Sequence, residues 1–236
     1  KTPIQVNDHF GFFTSRFIGS FVAESLDMVQ QGVKPALVEN GARMLGMPMG
    51  ALAICDSIGL DVGYHAAMKE AKDKGEPLPN FGISGKLVEG GRNGMKNGKG
   101  FYDHPENGSK TLWPGLAELT AKLDVQPTID EVKSRILYAQ LAEGARAFAE
   151  GVLGRPIDGD LGAVLGVGFP TYLGGPFAAM DTIGILKVVQ ELDRMTAAYG
   201  ARFEAPQLLR EMVAEGQTFY GENAVPSPGA RVANAA

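Results

Sequence analysis

The sequence predicts an all-α fold of two tandem, duplicated helical domains, preceded by one short strand. Hydrophobic residues recur at helical spacing in long segments of the chain. The same ordered set of residues also occurs twice along it. Beyond the first few residues, the alternation that is typical of strands is absent. With 236 residues, 44% of them hydrophobic, the chain is long enough for two cores and is not disordered.

The order of the predicted elements follows from local composition. Residues 1–8 are typical of a strand that enters a loop. Because Lys1 rather than Met comes first, we expect the chain to be a piece of a longer protein. A first helical domain is predicted over residues 9–104, a polar linker over 105–127 and a second helical domain over 128–236.

Each predicted domain opens with an amphipathic helix. Apolar residues share one face of each helix: Phe17, Ile18, Phe21, Val22, Met28 and Val29 in the first, and Ile136, Leu137, Leu141, Ala145 and Phe148 in the second. Gly32 and Gly151 follow these patterns and are predicted to end the two helices, since glycine readily adopts the left-handed conformation found there.

Three blocks of the first half recur in the same order in the second half. Arg16, Glu24, Gly32 and Val33 match Arg135, Glu143, Gly151 and Val152; Gly50, Asp56, Ile58 and Gly59 match Gly175, Asp181, Ile183 and Gly184; and Phe101-Tyr102 matches Phe219-Tyr220. Because these residues appear in both copies, we interpret the Arg and Glu as tying each first helix to its neighbours. Asp56 and Asp181 each precede Ile-Gly and are predicted to cap the next helix.

Composition excludes several classes of protein. The net charge of −5 and pI near 5.3 argue against a nucleic-acid-binding surface. Cys55 is the single cysteine, so intramolecular disulfides and cysteine-based metal sites are excluded, and its apolar neighbours predict a buried thiol. The uncharged run 161–180 contains too many Gly and Pro residues to form a membrane-spanning helix, and is predicted to be a buried, turn-rich segment.

Residues that could carry chemistry are few. His9, His65 and His104 stand in no metal-ligand or catalytic-triad spacing, and His9 and His104 are interpreted as solvated. The segment 90–100 is rich in glycine and offers the positive charges of Arg92, Lys96 and Lys99 to a phosphate, but it matches neither a dinucleotide-binding fingerprint nor a P-loop. On the residues alone, a turn with solvated lysines is favoured.

The repeated blocks resemble a known family. Gly11-Phe-Phe-Thr-Ser-Arg16, Gly46-Met-Pro-Met-Gly50, Asp56-Ser-Ile-Gly-Leu-Asp61 and Lys96-Asn-Gly-Lys-Gly-Phe-Tyr102 resemble the C-terminal region of 3-hydroxyacyl-CoA dehydrogenase. Gly166-Val-Gly-Phe-Pro170 and Asp181-Thr-Ile-Gly184 are similar to the second C-terminal domain of the multifunctional fatty-acid oxidation α-subunit. The resemblance implies a fold like the C-terminal domain of 6-phosphogluconate dehydrogenase, with residues 1–8 as the remnant of a missing Rossmann domain.

The resemblance also implies an activity, a cofactor and partners. The parent enzyme would oxidise an L-3-hydroxyacyl-CoA to the 3-ketoacyl-CoA with NAD, which is bound mainly by the absent Rossmann domain. The catalytic His and Glu would lie upstream, so this chain alone is expected to be inactive. The implied partners are the acyl-CoA substrate, the upstream domains, a thiolase subunit and further copies in a homo-oligomer, in a bacterial cytoplasm.

Two site residues come from the family motifs. Ser15 occupies the position of an Asn that lies near the substrate oxygen, and Lys96 occupies the position of a Lys that lies near NAD. Leu165 stands where some multifunctional members have a substrate-contacting Tyr, and it has no hydroxyl group that could take that role. No metal site is expected.

Two other classes of function stay open at this stage. Repeated helices with apolar faces also fit a dimerisation or scaffolding module without a ligand. A free-standing hydrolase that uses His65 is a third hypothesis.

Overall fold

The structure, a computed structural model, describes residues 2–9, 11–75 and 81–228. These residues are mainly helical, as the sequence predicts, and the sheet among them has only two strands. Contacts divide the chain into two compact units. Unit 1 comprises Lys1–Phe21, Leu45–Pro48 and Lys133–Ala236, and unit 2 comprises Val22–Met44 and Met49–Val132.

This division differs from the predicted boundaries at 9–104, 105–127 and 128–236, which stay predictions. Unit 1 takes in the beginning of the first long helix because Phe13 and Phe17 belong to the same buried cluster as Phe148 and Phe177.

Unit 2 is built from helices that are joined by glycine turns. The elements are the second half of α1 (Thr14–Gln30), α2 (Pro35–Leu45), α3 (Ala51–Ile58), α4 (Leu60–Lys74), α5 (Gly82–Glu89), a 3₁₀ turn (Met95–Asn97), β1 (Tyr102–Asp103), β2 (Thr111–Leu112) and α6 (Leu116–Leu119). Strands β1 and β2 are antiparallel, with Tyr102 opposite Leu112. The predicted linker 105–127 therefore contains β2 and α6 and packs within this unit.

Unit 1 contains α7 (Ile129–Ala149), whose first turn lies in unit 2, and the elements that follow it. These are α8 (Pro156–Leu161), a π-helical turn (Gly162–Gly166), a 3₁₀ turn (Thr171–Leu173), α9 (Pro176–Ile183), α10 (Ile185–Tyr199), a further 3₁₀ turn (Ala201–Phe203) and α11 (Gln207–Glu215). Helical turns and loops within 161–180 join α8 to α9, as the turn-rich prediction has it, but the prediction that this segment is buried is wrong for Leu165 and Tyr172, which are exposed. None of the helices in the described ranges is long and apolar enough to cross a membrane.

The two glycines that were predicted to end the first helices do so. Gly32 follows α1 with φ +97°, and Gly151 follows α7 with φ +76°. The predicted N-terminal strand is reduced to one bridge between Val6 and Leu153, and the Asn7 amide donates to the Val152 carbonyl at 2.9 Å. This extended segment therefore pairs with the chain just after Gly151.

Candidate functional site

Ser15 lies on the surface of unit 1, in the first turn of α1. The helix is preceded by two residues with positive φ, Gly11 at +74° and Phe12 at +47°. A non-glycine residue in this region is uncommon and strained, and the Phe12 ring is about half exposed. Ser15 itself is exposed, so its side chain is accessible to solvent.

Arg92 holds the glycine-rich segment 90–100 from inside. Its guanidinium is buried, donates from Nε to the Gly100 carbonyl at 2.8 Å and from Nη2 to Asp103 Oδ1 at 2.6 Å, and lies 4.1 Å from the centre of the Trp113 ring. Arg92 therefore holds the segment from inside and is not available as a solvated cation of this turn.

Lys96 lies in the 3₁₀ turn that Gly94 and Gly98 flank, with half of its side chain exposed. Its ammonium group forms an ion pair with Asp61 at the start of α4, and this contact is the main reason why the pKa of Asp61 is lowered. Lys99, in the same segment, is also exposed. These two lysines are the cations that this segment presents outwards, whereas Arg92 faces inwards.

The two acids predicted as helix caps instead hold the Phe-Tyr pairs. Asp56 lies inside α3 and accepts the backbone N–H groups of Phe101 at 2.8 Å and Tyr102 at 2.9 Å. Asp181, inside α9, accepts those of Phe219 at 2.9 Å and Tyr220 at 3.0 Å. The capping prediction is wrong because each side chain turns away from the next helix, toward a segment that is distant in sequence.

A second acid completes the same network in each copy. Glu39 accepts the Leu52 N–H at 2.8 Å and the Tyr102 hydroxyl at 2.6 Å. In the other copy, Asp160 accepts the Phe177 N–H at 2.8 Å and the Tyr220 hydroxyl at 2.7 Å. Each acid therefore joins the first turn of a helix to a tyrosine.

The glycines of the repeated blocks make room for these acids. A Cβ atom at Gly50 would overlap the Glu39 carboxylate, and one at Gly175 would overlap Asp160. A Cβ at Gly100 would overlap Asp56 in the same way. Two of the three matched blocks, the one that contains Gly50 and Asp56 (Gly175 and Asp181) and the Phe-Tyr pair, are thus parts of one hydrogen-bonding network that occurs twice. This observation supports the predicted duplication, which stays a prediction.

The sequence reasoning missed Glu39 and Asp160, although both are buried acids. Their distances in sequence from Gly50 and Gly175 differ, so a search for equal spacings does not find them. An acidic residue on the helix before each repeated glycine is the signal that would have identified them.

The histidines lie in three different surroundings. His104 was interpreted as solvated, but its side chain is only 11% exposed and its Nε2 lies 2.8 Å from Asp56 Oδ2, so that interpretation is wrong. His9 is partly exposed, with its Nε2 3.7 Å from Glu150 Oε2. His65 is exposed, and its ring packs edge-on against Tyr64.

Arg16 has the structural role that the repeat suggested. Its guanidinium lies 2.7 Å from Glu143 Oε1 and 2.5 Å from Glu150 Oε2, both on or next to α7. Arg135, its match in the second copy, stacks on the Tyr199 ring at 3.9 Å. Cys55 is partly buried, and desolvation raises the pKa of its thiol to about 12, which makes it a poor nucleophile. Within the described residues, no group of three or more His, Cys, Asp or Glu side chains is placed to hold a metal ion.

Burial of Asp160 predicts a pH dependence of stability. Desolvation raises the pKa of its carboxyl from 3.8 to about 6, so the folded state binds a proton more tightly than the unfolded state does. The free energy of unfolding should therefore fall as the pH rises from 4 through 6, by about 3 kcal/mol from this group. Urea unfolding of the wild type and of Asp160→Asn across this pH range measures the difference.

Asp160→Asn should lose the fall in the free energy of unfolding that the titration of Asp160 causes. In Tyr220→Phe, the midpoint of the pH dependence should move to higher pH, because the Tyr220 hydroxyl stabilises the ionised form of Asp160. If the difference in free energy of unfolding between the wild type and Asp160→Asn is the same at pH 4 and pH 7, the pH dependence does not come from Asp160.

Comparison with known proteins relates this architecture to one family. Residues 11–104 match the sequence profile of the 3-hydroxyacyl-CoA dehydrogenase C-terminal domain. Over 228 residues the chain is 35% identical to the fatty acid oxidation complex subunit alpha of Shewanella amazonensis, and over 226 residues it is 35% identical to that of Shewanella sp. MR-4. Each alignment covers 93% of this chain and 32% of the relative, so the chain spans about a third of the length of these relatives.

Solved structures share the fold. The 3-hydroxybutyryl-CoA dehydrogenase of Escherichia coli K12 superposes with a TM-score of 0.70 at 20% identity, covering 91% of this chain and 62% of that one. The dehydrogenase part of multifunctional enzyme 1 from C. elegans gives a TM-score of 0.67 at 22% identity, covering 89% of this chain and 50% of that one.

Proposed function

Since residues 11–104 match the 3-hydroxyacyl-CoA dehydrogenase C-terminal domain, we propose that this chain is the substrate-enclosing part of an L-3-hydroxyacyl-CoA dehydrogenase that acts in fatty-acid β-oxidation. The observation that carries the proposal is the 35% identity over 93% of the chain to subunits named for fatty acid oxidation. The reaction would convert an L-3-hydroxyacyl-CoA to the 3-ketoacyl-CoA.

NAD would accept the hydride when bound, and it would be held mainly by a domain outside these 236 residues. Within the described ranges there is no parallel sheet and no dinucleotide-binding turn. The residues that fit an edge of the cofactor are in the segment 90–100, where Lys96 and Lys99 are exposed. Asp61 already neutralises part of the charge on Lys96. We therefore propose that Lys96 contacts the cofactor but does not supply most of the free energy of cofactor binding.

Ser15 would contact the substrate side of the reaction. Its hydroxyl lies on an exposed helix turn and can donate and accept a hydrogen bond, as the Asn of the family motif does. The serine side chain is shorter, so Ser15→Asn should retain or improve this contact and Ser15→Ala should remove it.

An active chimera tests the proposal. This chain would replace the aligned third of the Shewanella amazonensis subunit, and NADH formation would be followed with L-3-hydroxybutyryl-CoA. The chain alone should produce no NADH, and the chimera should produce it. In the chimera, Ser15→Ala should lower kcat/KM about three- to ten-fold, the cost of one hydrogen bond. Lys96→Ala should raise the KM for NAD, while the matched variant Lys99→Ala should change it less.

Two results would contradict the proposal. One is sustained turnover by the chain alone, and the other is a folded chimera without dehydrogenase activity. A dimerisation or scaffolding module is the second candidate, and the exposed apolar side chains of Ile58, Val62 and Met95 favour it. Light scattering of the same samples with and without acyl-CoA separates the two, because a pure assembly module should not respond to the ligand.

The finer partners follow from the same similarity. The relatives are named as subunits of a complex, which supports a thiolase subunit and an enoyl-CoA hydratase region as neighbours in the parent protein. We also propose a homo-oligomer and, by analogy with these bacterial relatives, a cytoplasmic location.

A further inference from the structure

Unit 2 contains an apolar groove that neither the acid networks nor Lys96 uses. The groove has a volume of about 560 Å³, within the range typical of small-molecule sites. Its walls are the turn after α1 with the start of α2 on one side and the segment 112–126 on the other. Val33, Trp113, Leu116 and Leu123 are among the apolar residues that line it.

The polar groups of one wall are already satisfied. Gln126 donates to the Gly32 carbonyl at 3.0 Å and accepts the Lys34 N–H at 2.8 Å, and the Ala121 N–H donates to the Gln30 carbonyl at 3.1 Å. Because these hydrogen bonds close the wall against the end of α1, the groove is bordered mainly by carbon atoms. A ligand that enters it must therefore be largely aliphatic or aromatic.

The charged residues of the lining are two lysines and one aspartate. Lys34 and Lys122 are exposed, and among the described residues neither forms an ion pair; Asp124 is exposed as well. The net charge at the rim is therefore positive, and the N-terminal end of α2 adds positive potential at Ala36. Charge complementarity favours a ligand with one anionic end over a neutral or cationic one.

We propose that this groove binds an aliphatic carboxylate of medium chain length. The alkyl chain packs along Val33, Trp113 and Leu123, and the carboxylate lies at the rim beside Lys34 and Lys122. The site would exist whether or not the chain takes part in the dehydrogenase reaction. A negative result for carboxylate binding would therefore leave the proposed function untouched, and the reverse also holds.

Trp113 provides a direct signal, since it is the only tryptophan of the chain and lines the groove. Decanoate, kept below its micelle concentration, should change the Trp113 emission with a saturable, one-site dependence. Isothermal titration calorimetry on the same 236-residue chain should give a stoichiometry of one. An emission spectrum and a heat signal that do not respond to decanoate would overturn the proposal.

Matched variants locate the site. Ala117→Phe places a ring in the groove from α6 and should weaken decanoate binding at least about ten-fold by calorimetry. Ala198→Phe makes the same change on the exposed face of α10 in the other unit and should leave the affinity unchanged. Circular dichroism checks that both variants are folded. Equal affinities for the wild type and a folded Ala117→Phe would place decanoate elsewhere and overturn the proposal.

The role of the lysines is tested with a neutral ligand of the same length. The double variant Lys34→Glu, Lys122→Glu should weaken decanoate about five- to ten-fold, the effect of two exposed charge pairs, and should leave decanol binding unchanged. Equal weakening of both ligands would overturn the carboxylate assignment. A concentration-dependent dimer that Ala117→Phe dissociates, without a decanoate signal, would assign the groove to a second copy and also overturn the proposal.

Discussion

Asp56→Ala is expected to lower the free energy of unfolding of unit 2 by about 4 kcal/mol. The carboxylate is fully buried and accepts the backbone N–H groups of Phe101 and Tyr102, while its Oδ2 also lies 2.8 Å from His104. Alanine leaves two buried N–H donors without an acceptor, and each such donor costs about 1 to 3 kcal/mol. Loss of the His104 contact adds to this cost.

Urea unfolding followed by Trp113 emission measures the effect, because Trp113 lies in unit 2. Asp56→Asn retains one carbonyl oxygen and should cost about half as much. Asp181→Ala is the matched control in the second copy. Asp181 is less buried than Asp56, so the loss of free energy of unfolding should be smaller. A change of less than about 1 kcal/mol in Asp56→Ala would contradict the importance of this network.

The sequence was informative where one local signal decides the structure. Phe17, Phe21 and Met28 recur at helical spacing and are fully buried, so α1 was predictable from periodicity. Gly32 and Gly151 end their helices because positive φ is easily accessible to glycine. The turns between α8 and α9 follow from a segment in which Gly and Pro prevent a continuous helix.

The candidate site was harder to predict because its contacts join residues that are distant in sequence. The nearest neighbours of Asp56 in the sequence predict a helix cap, whereas its hydrogen-bond partners Phe101 and Tyr102 lie 45 and 46 residues further along the chain. Arg92 and His104 carry polar side chains of types that are usually exposed. Only the fold shows that Arg92 donates to the Gly100 carbonyl and stacks on Trp113, and that His104 contacts the buried Asp56 carboxylate. Local pattern identifies the residue types but not the partners.

The repeat gives the sequence more value than a single copy would have. Gly50 and Gly175 are weak signals alone, since glycine is common in this chain. Their recurrence together with Asp56, Asp181 and the Phe-Tyr pairs identified residues that share one network in each copy. At Gly50 and Gly175 the physical reason for the repeat is the absence of a Cβ, and at Asp56 and Asp181 it is the presence of an acceptor.

Gly175→Ala is expected to lower the free energy of unfolding by about 4 kcal/mol or more, through two costs that act at the same position. The residue has φ +122°, a conformation that side chains rarely adopt, and its new Cβ would overlap Asp160. Asp160 cannot move aside without weakening its hydrogen bonds to the Phe177 N–H and the Tyr220 hydroxyl. Backbone strain is therefore accompanied by the loss of part of a buried network.

Gly184→Ala separates these two costs. Gly184 lies at the opposite end of α9 with φ +94°, and no atom lies within 4 Å of the position its Cβ would take, so this variant carries the strain alone, about 1 to 2 kcal/mol. Urea unfolding followed by circular dichroism, with hydrogen exchange of the α9 amides, measures both variants. The difference between them is the energetic effect of crowding Asp160. If both variants lose the same free energy of unfolding, the backbone strain at the two glycines accounts for the whole effect. The Asp160 carboxylate would then move aside at no cost, which would contradict this prediction.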